Sequence, residues 1–253
     1  MSTGSTPSPI RRESALAGQT VVVIGGSAGI GLETARLARA EGAKLILAAR
    51  TPEPLQRAAS ELGALSSAAF DATDFERLAK FFDELPTPID HVLITGPGPY
   101  YAPLAELDFE KARRHIETHL LLPIHVARNA PGKVRPGGTL LFMGGTGGRR
   151  TAKGYVLISS LTAALPALTK NLALELAPIR FNLIAAGFVD TLLSASLLGY
   201  QLNARREQLR TTLPIKRVVG PADIAALAVH LMTNTAVTGA TFDIDGGQQL
   251  VEG

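Results

Sequence analysis

The chain contains no cysteine. That absence removes a disulfide framework, a thiolate metal site and a cysteine nucleophile together, and it is compatible with a reducing compartment. Runs of one charge are missing too. Lys+Arg 25 against Asp+Glu 22 gives a net charge of only +3, and although the pI is near 9.3, the basic residues are scattered, so nucleic-acid binding has no support. Met1–Gly18 is rich in Ser, Thr, Pro and Gly and lacks the apolar stretch of a secretory signal. These residues read as a flexible arm. No uninterrupted apolar run approaches the 18 residues of a membrane helix, since even Leu120–Leu122 is cut by Pro123. The expectation is a cytoplasmic protein with no membrane or nucleic-acid partner and no metal.

Charged residues make up 19% and hydrophobic ones 46% of 253 residues, enough apolar surface for one large core and too much for disorder. From Thr20 onward, short β-type apolar runs alternate with amphipathic stretches. The predicted strands are Thr20–Ile24, Lys44–Ala48, Ser67–Phe70, His91–Thr95, Thr139–Met143, Arg180–Ala185 and Ala240–Ile244, with about six helices between them. Gly29–Glu41 and Ala222–Met232 carry apolar residues at helical spacing. No internal repeat and no linker-like shift in composition interrupts residues 19–250 of the domain expected over 19–253. The expected fold class is α/β, a single doubly wound domain of Rossmann type with a seven-stranded parallel sheet.

Val21 to Gly31 runs from a buried strand through a glycine-rich turn into a helix. Unpaired N–H groups and the positive end of the macrodipole make a helix N-terminus a phosphate site, provided no Cβ blocks the approach. Gly25, Gly29 and Gly31 remove those atoms. Their spacing, Gly-x-x-x-Gly-x-Gly, follows the logic of the dinucleotide fingerprint but not its letters. The second strand ends on Arg50, and no acid occurs between Gly42 and Pro52. An acid there would take a ribose 2′-hydroxyl; an arginine suits a 2′-phosphate. The expected cofactor is therefore NADP(H), the alternative for Arg50 being a solvated side chain at a strand end.

With these residues in place, the sequence resembles the short-chain dehydrogenase/reductase family from Leu16 to Val251. Ile24-Gly25-Gly26-Ser27-Ala28-Gly29-Ile30-Gly31 is similar to the family's Thr-Gly-x-x-x-Gly-Ile-Gly loop. Asp71-Ala72 resembles its Asp-Val pair beside the adenine, and Ala186 to Thr191 resembles its Pro-Gly-x-Val-x-Thr turn over the nicotinamide. Thr169 to Asn182 and Thr238 to Gly247 are similar to two further family segments. The resemblance implies cofactor contacts at Gly25, Ser27, Ala28, Gly29, Ile30, Gly31, Arg50, Asp71, Ala72, Thr95, Gly96, Pro97, Met143, Gly144, Gly187, Val189 and Thr191. It also implies a substrate lid over about 190–214 and a homodimer or homotetramer closed through Ala240–Ile244, Leu250 and Val251.

The catalytic pattern departs from the family. Ile94-Thr95-Gly96-Pro97 stands for Asn-Asn-Ala-Gly, His119 for a structural asparagine, and Gly144-Gly145 for a pair of serines. Counted back from Thr169, the family's Tyr-x-x-x-Lys falls on Ile158 and Thr162. Tyrosine serves there because a neighbouring ammonium lowers its ordinary pKa of about 10; isoleucine does neither job. Tyr155 lies one turn earlier, about 4.5 Å along a helix at 1.5 Å per residue, and shares a face with Ser159 and Thr162. Tyr155 is the replacement acid on this reading, His119 a second candidate, and Thr162 a partner for the nicotinamide ribose. The alternatives are a packed aromatic and a structural histidine. Tyr100 and Tyr101 are expected against the substrate, while Arg149, Arg150 and Lys153 read as solvated surface. Leu192, Leu193, Leu197, Leu198, Tyr200 and Leu202 suggest an apolar substrate or a packed lid. The expected function is NADP(H)-dependent hydride transfer to or from a carbonyl/alcohol or other unsaturated small molecule; the alternative is an inactive cofactor-binding protein, a redox sensor or assembly partner.

Overall fold

The computed structural model describes residues 14–149 and 151–251. Strands β1 (Thr20–Ile24), β2 (Lys44–Ala49), β3 (Ser66–Ala69), β4 (Ile89–Ile94), β5 (Val134–Gly145), β6 (Arg180–Ala186) and β7 (Ala240–Ile244) form one parallel sheet in the order β3-β2-β1-β4-β5-β6-β7. The strand order reverses between β1 and β4, so a crevice opens there at the carboxyl ends. The helices are α1 (Gly29–Ala40), α2 (Pro52–Leu62), α3 (Phe75–Glu84), α4 (Phe109–Ile116), α5 (Leu122–Asn129), α6 (Val156–Glu175), α7 (Leu192–Leu198), α8 (Leu202–Thr212) and α9 (Pro221–Thr233).

Successive strand residues alternate between two cores. Val21 and Val23 face a core built with Ala35 and Ala38 of α1 and Ile224 and Leu231 of α9. Val22 and Ile24 face the other, with Phe82 of α3, Val126 of α5 and Leu165 of α6. Both faces of β1 are therefore buried, and an unbroken apolar run is the sequence such a strand needs. Each large side chain fully buried in this way contributes about 1.5–3 kcal/mol of transfer free energy.

Several expected boundaries move. Of the arm expected over Met1–Gly18, the first thirteen residues lie outside those described, but Ser14–Gly18 is tied to the fold: Leu16 is 0% exposed, its N–H donates to the Glu41 carbonyl at 2.9 Å and the Gly18 N–H to the Gly42 carbonyl at 3.2 Å. β4 begins at Ile89 and stops before Thr95, and β5 begins at Val134, five residues ahead of the expected Thr139, across an irregular register beside Ile89. The segment expected as a lid holds two helices, and α4 reaches α5 through a π-helical segment, Glu117–Leu121, so the expected six helices fall short. α6, with mean hydropathy 1.3 in its most apolar window, is long and apolar enough to cross a membrane by length and composition. Here Leu165 and Thr169 of that helix are buried within the fold.

Candidate active site

The α1 N-terminus differs from those of α3 and α4. Asp74 and Asp108 cap the latter two, accepting backbone N–H bonds at 3.0–3.1 Å. Ala28 before α1 offers no side-chain cap and the first turn carries no acid. This end, with its N–H groups uncapped by side chains, fits a phosphate. Two glycines are enforced by close approach: a Cβ at Gly25 would lie 2.0 Å from Thr95 Oγ1, and one at Gly31 would lie 2.2 Å from the Gly25 carbonyl oxygen. They seat α1 against the ends of β1 and β4 as well as clearing a path for an anion.

Arg50 is exposed at the end of β2. Burial pushes the Asp71 carboxyl upward, but bonds from the Thr73 N–H and hydroxyl (2.9 and 2.8 Å), with the Arg50 charge, outweigh it and leave the pKa lowered. Arg50 and Asp71 thus stand together at the edge where an adenosine would end. Across the switch point a cavity of about 530 Å³ is lined by Thr95, Gly96, Pro97, Met143, Gly144, Gly187, Val189 and Thr191 together with Tyr155, His119 and Thr162. Ile30 of α1 also lines it. The residues at hand fit a dinucleotide laid from Arg50 past the glycine loop into this cavity.

Tyr155 is the residue that precedes α6, not a member of its first turn. The Ala102 N–H donates to the Gly154 carbonyl at 3.1 Å, tying its loop to the one before it, and the Tyr155 and Tyr101 rings lie 4.9 Å apart between centroids. Ile158, on the cavity wall, is 6% exposed. Thr162 also faces the cavity, but its hydroxyl donates back to the Ile158 carbonyl at 2.8 Å. Its oxygen can still accept from a ribose hydroxyl, while its proton is given to its own helix. A Cβ at Gly144 would meet Leu165 at 2.9 Å, whereas one at Gly145 would find nothing nearer than 3.5 Å.

His119 sits in the π-helical segment, its Nδ1 3.0 Å from the His115 carbonyl, with the His115 and His119 rings stacked at 5.2 Å. Burial lowers its pKa despite the backbone of His115 and Pro97 acting the other way. A neutral imidazole at pH 7 follows, better suited to accept a proton than to give one. Tyr100 is corrected: it is absent from the cavity wall, its ring stacks on His115, and its hydroxyl accepts the Asp108 N–H at 3.1 Å. Arg149 is exposed, as expected of solvated surface, and is also bound to the Asp243 carboxylate of β7 and to Gln249 at 2.8 Å. Arg150 lies outside the described residues, and Lys153 is exposed.

The lid leucines divide. Leu193, Leu197 and Leu198 line the cavity, whereas Leu192 and Tyr200 are 80% and 94% exposed. Other cavity residues, Gln248 and Arg205 among them, were not singled out in the sequence. Gln248 accepts the Phe188 N–H at 2.8 Å from the far side of β7, and Arg205 of α8 reaches the wall. Only helical phase relative to Leu209 hints at the second.

A family model described as enoyl-(acyl carrier protein) reductase matches residues 25–249. A short-chain dehydrogenase/reductase of Stachybotrys chlorohalonatus is 30% identical over 249 residues, 91% of this chain and 96% of its own. The MalC reductase/Diels-Alderase of Malbranchea aurantiaca shares the fold at a TM-score of 0.87, with 24% identity over 94% of this chain and 99% of its own. A small-chain dehydrogenase in complex with NADPH superposes at a TM-score of 0.80, 25% identical over 92% of this chain and 100% of its own.

Proposed function

The chain belongs to the short-chain dehydrogenase/reductase family, and from that premise we propose that it is an NADP(H)-dependent oxidoreductase acting on a carbonyl/alcohol pair or another unsaturated small molecule. The observation that carries this reading is the α1 N-terminus, uncapped by any side chain and cleared by Gly25 and Gly31, opening beside a largely apolar cavity. A solved relative that holds NADPH supports the nicotinamide cofactor. When bound, that group supplies the hydride donor or acceptor. Ser27, Ala28, Gly29, Ile30 and Gly31 would hold its pyrophosphate, Arg50 its 2′-phosphate, Asp71 and Ala72 its adenine side, and Gly187, Val189 and Thr191 its nicotinamide end.

The chain's own part is to hold the substrate, exclude water and move one proton. Leu193, Leu197 and Leu198 close over the site. In the reductive direction the Tyr155 hydroxyl gives its proton to the substrate oxygen, and in the oxidative direction it takes one back. The inactive alternative draws support from Ile158 and Gly145, which leave no hydroxyl where the family has two. Screening carbonyl, enone and imine substrates against NADPH separates the two readings, since only the second expects tight NADP binding with no turnover.

Arg50→Ala tests the cofactor. Losing a charge-assisted bidentate contact costs roughly 1.5–3 kcal/mol, about ten- to a hundredfold in affinity, and only the phosphorylated cofactor makes that contact. Calorimetric titration is expected to show NADPH weakened far more than NADH; equal losses would remove the assignment. The same reading includes a cytoplasmic location and a closed homodimer or homotetramer. Light scattering at micromolar concentration is expected to give a multiple of 26.6 kDa, and the monomer mass would refute the assembly.

A further inference from the structure

Several hydroxyls stand on the cavity wall, and most of them are spent. Thr95, Thr118, Thr162 and Ser194 each donate to a backbone carbonyl. Tyr101 and Tyr155 share the same wall, their rings 4.9 Å apart between centroids and inclined at 35°. The backbone makes them a pair. The Ala102 N–H donates to the Gly154 carbonyl at 3.1 Å, one residue after Tyr101 and one before Tyr155. Gly154 has φ +85°, and a Cβ there would stand 3.4 Å from Ala102, itself 8% exposed. From this tight joint both tyrosines reach the cavity. Tyr101 as a residue is 52% exposed, yet burial is the largest influence on its phenol and raises the pKa; Tyr155 adds to the rise and Arg205 opposes both. A half-exposed ring with a desolvated oxygen turns one face to solvent and its hydroxyl inward, where it senses charge on Tyr155.

Resting on the reading of this cavity as the redox site, we propose that Tyr101 is a second catalytic residue, its hydroxyl donating a hydrogen bond to the substrate oxygen that Tyr155 protonates. In the reductive direction a hydride brings two electrons to the substrate carbon, a C–H bond forms, and the π pair of the C=O bond moves onto oxygen. Tyr155 gives that oxygen its proton and recovers one from water. Tyr101 keeps its own, because a phenol made harder to ionise serves as a hydrogen-bond donor to growing negative charge. The role fills one left empty on β5. Gly145 carries no hydroxyl, although a Cβ there would find nothing nearer than 3.5 Å. The second donor therefore comes from the loop after β4.

Carbon-13 NMR of the chain labelled at tyrosine Cζ follows each phenol with pH and needs no substrate, its four tyrosines being assigned by single Phe variants. Tyr155→Phe is expected to move the Tyr101 midpoint downward, since charge on Tyr155 no longer opposes its ionisation. Tyr200→Phe, at a residue 94% exposed, is expected to leave it in place. Rates are then read with NADPH and the carbonyl compound that a screen finds reduced fastest. Tyr101→Phe keeps the ring and is expected to lower kcat about 10²-fold, the cost of losing one such donor, with KM nearly unchanged. Tyr101→Leu is expected to lose a similar factor, and thermal melts of each variant identify any loss of folding. A Tyr101 midpoint unmoved by Tyr155→Phe overturns the proposal. So does a wild-type kcat in Tyr101→Phe, or a loss confined to Tyr101→Leu, which marks packing alone. In these cases turnover by wild type leaves the redox reading intact. Wild type that turns over no compound in the screen removes the redox reading, and this proposal with it, whatever the titration shows.

Discussion

On the proposed mechanism the proton transfer rests on one oxygen atom, the Tyr155 hydroxyl. Ile158 cannot exchange a proton, the Thr162 hydroxyl is committed to the Ile158 carbonyl, and burial keeps His119 neutral. Tyr155→Phe removes the oxygen and keeps the ring against Tyr101. It is expected to slow turnover by about 10²–10⁴, the range of general acid–base catalysis, with NADPH affinity nearly unchanged. His119→Ala is expected to lower the rate only a few-fold; a larger loss there, with Tyr155→Phe near wild type, would transfer the role to the histidine. The expected loss of the tetrad is a sequence reading, reached by counting back from Thr169. Thr162's back-bond was not, since a threonine one turn from the next carbonyl reads the same whether it faces the ligand or its own helix. Nor could the sequence separate the two glycines of β5: Gly144 is held by the bulk of Leu165 and Leu183, while Gly145 has room for a side chain it does not carry.

Among the elements, the segment expected as a lid is tied to the fold by polar contacts at its base. Arg206 of α8 grips Asp190 in a bidentate pair at 2.9 and 2.8 Å, and the Asp190 N–H donates to the Val219 carbonyl at 2.9 Å, fixing the base of the lid to the chain before α9. α7 then lies directly on the Pro97-Gly98-Pro99 loop, where a Cβ at Gly98 would touch Leu197 at 3.0 Å. Because the Arg206–Asp190 side chains are 31% and 28% exposed, the loss of the pair is expected to loosen the segment 190–214 more than the global fold. For Arg206→Ala the expected signs are faster hydrogen exchange over 192–212, a KM raised several-fold, and a Tm close to wild type. Unchanged exchange with an unchanged KM would show that leucine packing alone holds the lid. The division of the α7 leucines was not legible: Leu192 is exposed while Leu193, Leu197 and Leu198 line the cavity, and a run of leucines and serines does not encode which side of the helix faces inward.

Taken as a whole molecule, the sheet has a functional edge and a structural one. The carboxyl ends of the strands carry the cavity; the amino ends carry a buried polar belt invisible in the sequence, where His91 and Arg180 look like ordinary solvated residues. Arg180 donates to the carbonyls of Gly137, Leu231, Met232, Asn234 and Val237 at 2.8–3.2 Å, binding the end of α9 to β6. His91 is 0% exposed, with Nε2 2.7 Å from the Gln19 side-chain oxygen. Burial lowers its pKa to about 3, with Asp90 opposing and Arg135 and Arg180 assisting. The unfolded chain has an ordinary histidine near 6.5. Between those two values the unfolded state takes up a proton that the folded state refuses, so stability falls as pH drops from about 6.5 and is unaffected by this group above it. The slope is roughly 1.4 kcal/mol per pH unit, on the order of 3 kcal/mol by pH 4. His115 and His119 act in the same direction. The lowered carboxyls of Asp71, Asp223 and Asp243 add to the loss chiefly below their ordinary range near 4. His91→Gln keeps an amide donor for Gln19 and cannot titrate. Its Tm at pH 7.5 is expected to be lower than wild type because the ring's packing is gone. The test is the slope: from pH 6.5 to 4.5 the variant is expected to lose clearly less stability than wild type, at about 2–4 °C per kcal/mol for a chain of this size. Parallel Tm curves over that window would mean that His91 is protonated in the folded state and that the belt is open to water.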